Sequence, residues 1–150
     1  MKTVAPLLCT VALALLLALT GCKESGISTS ADYRTGAKKF QVAKVKVIQI
    51  AKEARSSGDP KILSGAVERL VPAVKIMHAA AHGLQISDPE ISACHQQLLS
   101  AVDGYKSFLD GIAPGVMNTP LPKSKIAMKA AIDTFNSAVD GWKATMDALP

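Results

Sequence analysis

Apolar residues recur every three or four positions along most of this chain, and Gly, Pro and Asp-Pro pairs cut the pattern into four segments. In the second segment Leu63, Val67, Leu70, Val74, Met77, Ala81 and Leu84 succeed one another at spacings of four and three. Ile91, Cys94, Leu98, Val102, Tyr105, Leu109 and Ile112 do so in the third, and Met128, Ile132, Phe135, Val139, Trp142, Met146 and Leu149 in the fourth. Each set makes a single stripe on a helix with a 3.6-residue turn. Asp59-Pro60 reads as an N-cap followed by Pro in the first helical position, and Asp88-Pro89-Glu90 repeats that start. The second helix is expected to end near Gly83 and the third at Gly111-Ile112-Ala113-Pro114-Gly115. Thr119-Pro120-Leu121-Pro122 opens the fourth, which runs to about Leu149. Connections of roughly 3–9 residues make consecutive helices antiparallel neighbours. The pattern therefore predicts an all-α, up-down-up-down four-helix bundle over residues 31–150.

The first segment, 31–56, carries a stripe of Tyr33, Phe40, Val47, Ile50 and Ala54, with Thr29 or Ser30 as its cap and Gly58 as the residue just beyond its end. Lys44–Ile50 also alternates with period two and is β-branched, the pattern of a strand. Ala- and Lys-rich flanks and three helical partners favour helix. On that helix Val42 and Val45 lie off the stripe, among Arg34, Lys38, Lys39, Lys46 and Lys52. Two readings are open: scattered valines on a solvated basic face, or a contact face for an acidic partner or anionic lipid built from Arg34, Lys38, Val42, Val45, Lys46 and Lys52.

Residues 1–22 have a different character. Lys2 gives a positive start, and Leu7–Leu19 is almost wholly apolar. Such a run rises only about 20 Å as a helix, short of a hydrocarbon core of about 30 Å, and no charged stop comes after it. It ends in Leu19-Thr20-Gly21-Cys22, a branched apolar residue and two small ones before a Cys. This stretch resembles the lipobox signal of bacterial lipoprotein precursors. The resemblance implies cleavage of residues 1–21, diacylglycerol on the Cys22 thiol, acylation of the new amine, and a membrane anchor. Lys23 is next, where an Asp is associated with inner-membrane retention in Gram-negative lipoproteins. By the same resemblance, the periplasmic face of the outer membrane is the expected location in a Gram-negative host. Residues 22–30 then read as the lipidated Cys and a short flexible tether.

Composition narrows the function. A chain of 150 residues is one domain in size, which excludes a large multi-domain enzyme. Beyond Cys22 there are 16 basic and 12 acidic residues, too mild a surplus for a nucleic-acid binder. The charge is uneven: residues 31–56 hold seven basic residues against two acidic, and residues 88–112 hold one basic against four acidic. With Cys9 in the signal and Cys22 lipidated, Cys94 is the one remaining thiol, so no internal disulfide is expected.

One constellation carries chemistry. His78 and His82 are spaced i, i+4 and share a helix face. Folding the second and third helices about residue 86 puts Cys94 as far after the turn as His78 lies before it, with His95 alongside. His78, His82, Cys94 and His95 are therefore a candidate Cu or Zn cluster. Against this, histidines at a helix C-terminus are favoured by the dipole alone, a Cys on an apolar stripe acts as a small hydrophobe, and Lys75 shares a flank with His78. There is no haem-attachment motif, phosphate loop, Gly-x-Ser-x-Gly or Glu-x-x-His pair. The fourth segment has no His to face a noncovalent haem, and no cofactor is expected. The expectation is a non-enzymatic, lipid-anchored module that binds an envelope protein, an acidic one if the basic face is the contact, with metal binding as the alternative.

Overall fold

The computed structural model describes residues 26–56, 58–112 and 121–150. The signal segment, Cys22 and the breakers at 113–115 and 119–120 lie outside the described residues. Five helical pieces succeed one another: α1 Ser30–Gly36, α2 Lys38–Ser56, α3 Pro60–His82, α4 Pro89–Ile112 and α5 Leu121–Ala148. The first two are one rod of the bundle. Ala37 between them keeps right-handed helical angles, its N–H bonds the Tyr33 carbonyl at 2.9 Å, and its own carbonyl accepts from Gln41 at 3.0 Å. The strand-like alternation of Lys44–Ile50 therefore yields to the helical stripe, with Tyr33, Phe40, Val47, Ile50 and Ala54 all buried. Burying that stripe against three helices outweighs a weak β preference.

The helix starts obey the expected chemistry. The Asp59 carboxylate accepts from the Lys61 N–H at 2.8 Å, and Asp88 Oδ1 accepts from the Glu90 and Ile91 N–H groups at 2.9 Å each. Thr29 caps α1 through the Asp32 N–H at 3.1 Å. Each cap satisfies a donor that the helix leaves without an internal partner. The other ends fall as expected, α3 closing on Gly83, which donates to the Ala79 carbonyl at 2.9 Å, and α4 ending at Ile112. Gly58 differs: it does not adopt the left-handed conformation of a C′ glycine.

The rods pack in a closed square. α2 lies against α3, α3 against α4, α4 against α5, and α5 against α2. This leaves α2 and α4 on a diagonal. The core is the four predicted stripes, from Tyr33 and Phe40 through Leu70, Met77 and Leu98 to Val139 and Trp142. Only the stripe ends Leu84, Ile112 and Leu149 are half-buried. No helix among the described residues is long and apolar enough to cross a membrane.

The tether differs from expectation. Ile27 is held on the α3–α4 loop in a parallel β-bridge with Ile86: its N–H donates to the Gln85 carbonyl at 2.7 Å, and its carbonyl accepts from the Ser87 N–H at 2.9 Å. Gly26 is fixed close beside it, because a Cβ there would stand 3.2 Å from the Ser87 backbone nitrogen. Gly36 leaves room for the same clasp, since a Cβ on it would meet Leu84 at 3.0 Å and Ile27 at 3.2 Å. Among the described residues, Gly26 and Ile27 are thus packed against the helices ahead of residue 31. Apolar Ile27 gains more from covering Leu84 and Gly36 than from staying in water.

Candidate functional site

The α3–α4 edge brings three chemically competent groups to one point. His78 and His82 stack one turn apart, ring centroids 4.2 Å from each other. Both turn Nε2 toward the same atom, Asp103 Oδ1 on α4, at 3.0 Å and 2.8 Å. The three ligand atoms lie within 4.8 Å of one another, and the side chains are partly open to solvent. Both ring nitrogens are within hydrogen-bond distance of one carboxylate oxygen, which has lone pairs enough to accept from each.

Cys94 and His95 are not part of that cluster. Both are buried, facing the bundle interior while the His78–His82 pair faces outward. Cys94 Sγ lies 3.9 Å from the Trp142 carbonyl, and burial pushes its thiol pKa up, which disfavours the thiolate a metal would need. His95 Nδ1 sits 3.1 Å from the Tyr33 hydroxyl, which itself accepts from Trp142 Nε1 at 2.9 Å. His95 also hydrogen-bonds the Ala81 backbone, yet desolvation and the nearby His82 together hold its pKa below the usual value. It is a neutral core histidine, with Tyr33 edge-on to it and Trp142 edge-on to Tyr33.

The expected four-residue cluster is thus divided, and the reason is geometric. Counting equal distances from the turn pairs His78 with Cys94. The count ignores which face of α4 each residue occupies: Cys94 and His95 lie on its buried stripe, whereas Asp103 lies on a face partly open to solvent, as His78 and His82 do on α3. The His pair meets Asp103 farther along α4 than the count suggests. Asp103 was therefore missed, although a surface carboxylate on the next helix was visible in the sequence. The Tyr33–Trp142 pairing was also missed; two core residues with polar tips were the available signal, since such tips find partners when buried.

On the opposite side of the bundle, Val42 and Val45 are 73% and 65% exposed, which places them squarely in solvent on α2. Lys38, Lys46 and Lys52 are exposed with them. Arg34 is differently employed: its guanidinium donates to the carbonyls of Met146 at 3.2 Å and Leu149 at 2.9 Å, closing the end of α5. A third feature is an apolar groove of about 460 Å³ between α4 and α5, floored by Tyr105 stacked on Phe135 at 4.9 Å. Its polar lining is Gln97, Ser100 and Thr134, which offers hydrogen bonds but no acid–base pair. No protein-family model, curated protein or solved structure matches this chain.

Proposed function

We propose that this chain is a lipid-anchored, non-enzymatic module that holds a helical docking face close to a membrane of the cell envelope, the periplasmic leaflet of the outer membrane in a Gram-negative host. The observation that carries the reading is the pair of solvent-exposed valines on α2, set among Lys38, Lys46 and Lys52. Apolar side chains ringed by like charge suit a partner surface that is acidic at its rim and apolar at its centre. Arg34 is left out of this face, because it serves α5.

The anchor reading rests on the lipobox-like Leu19-Thr20-Gly21-Cys22. The clasp at Gly26–Ile27 suits a body kept close to such an anchor. Four residues from Cys22 to Gly26 reach at most about 14 Å, so the body would stay against the headgroups. Two acyl chains suffice for stable attachment, at about 0.8 kcal/mol per buried CH₂.

Cross-linking in native membranes followed by capture of the chain tests the reading. The expected result is a specific envelope protein recovered with the natural sequence and lost with a Val42→Glu, Val45→Glu double substitution that leaves helix content unchanged. The Cys22→Ser chain should lose its fatty-acid mass and its membrane fraction. Retention of the partner by the double variant, or a purified product with no acyl adduct, would overturn it.

A further inference from the structure

We propose that His78, His82 and Asp103 form a binding site for a divalent transition-metal ion such as Zn(II). The site is independent of the docking face, since α2 and α4 lie on a diagonal of the bundle. It also needs neither Cys94 nor His95.

The donor set is two imidazoles and one carboxylate, which suits borderline divalent ions rather than Ca(II) or Mg(II). Two of the three ligand separations already match those of a loaded site, and the third, between the two imidazoles' ligand atoms, is within 4.8 Å. Ligand atoms bound at about 2.0–2.1 Å stand about 2.9–3.4 Å apart at adjacent positions of an octahedron or tetrahedron. The two Nε2–Oδ1 separations are 3.0 Å and 2.8 Å. An ion entering between them binds the Nε2 lone pairs, with each ring carrying its single proton on Nδ1, and requires only small side-chain movements. The i, i+4 spacing fixes two ligands on one rigid helix, and α4 supplies the third from a packed neighbour.

The surrounding charge favours a cation. His82 is the last residue of α3, where the carbonyl ends of the helix carry partial negative charge. Residues 88–112 bear four acidic side chains against one basic. That basic residue, Lys106, is held by Asp110 at 2.6 Å, and Lys75 is exposed on the preceding turn of α3, free to extend into water. Three protein ligands leave the remaining coordination positions open toward solvent, for water or for a donor from another molecule.

Calorimetric titration of the purified full chain with Zn(II) tests the proposal. One ion per chain should bind, with a dissociation constant tighter than about 0.1 mM. His78→Ala, His82→Ala and Asp103→Asn should each weaken binding at least about tenfold with unchanged circular dichroism, while Cys94→Ala should leave it intact. Absence of one-to-one binding at that strength would overturn the proposal. So would binding that survives both His82→Ala and Asp103→Asn, or that depends on Cys94.

Discussion

A buried histidine must settle on one protonation state, and the surroundings of His95 select the neutral one. The Trp142 N–H donates to the Tyr33 oxygen, the Tyr33 hydroxyl is left to donate to His95 Nδ1, and the other ring nitrogen faces the Ala81 backbone. A second proton would sit on Nδ1 and turn the Tyr33 contact into a clash of donors. The depressed pKa makes stability depend on pH with a definite sign. In the unfolded chain the ring takes up its proton near 6.5, before the folded ring does. The stabilisation is therefore complete above 6.5 and is lost as pH falls below it toward the folded value. Each tenfold difference in proton affinity between the two states is worth about 1.4 kcal/mol. Urea melts should show the natural chain losing stability between about pH 7 and about pH 5. A His95→Gln chain should lose less over that range, although it is weaker at neutral pH. Equal pH dependence in both would place the titrating group elsewhere.

At the scale of elements, the sequence reading succeeded where periodicity and caps decide and failed where side chains reach across helices. All four stripes and the Asp-Pro starts could be read because each depends on residues a few positions apart. Asp103 and the Arg34 cap could not, because their partners lie on other helices and the reach of a side chain is not written in its spacing. Arg34 makes the consequence measurable. It donates to two carbonyls at the end of α5, Leu149 and Met146, the second of which also accepts from the Leu149 N–H at 3.3 Å, and its charge complements the negative end of the dipole. Arg34→Met keeps the aliphatic stem and removes both effects. The expected cost is about 1–2 kcal/mol in a urea melt, with faster amide exchange confined to the last turn of α5 and the first turn of α1. Unchanged exchange there would mean that the guanidinium closes nothing.

For the whole molecule, the square of helices separates charge by position. The basic α2 and the acidic α4 occupy opposite corners, so the exposed valines of α2 and the His–Asp cluster look in different directions. The clasp of Ile27 on Ile86 chooses which pole of the bundle leads back to Cys22: the one holding the α3–α4 loop and the start of α1. With the chain attached to vesicles through its amino end, as proposed, a fluorophore on a Gln85→Cys variant should be quenched strongly by headgroup-attached quenchers, and one on a Lys61→Cys variant weakly. The reverse order would invert the orientation. The same clasp has a mechanical side. A pull arriving through the amino end meets two backbone hydrogen bonds arranged side by side on the hairpin before it meets the first turn of α1. Parallel strands loaded along their length give way by sliding, both bonds at once, so a load on the amino end is shared with the turn between α3 and α4 instead of unwinding the first helix from its tip.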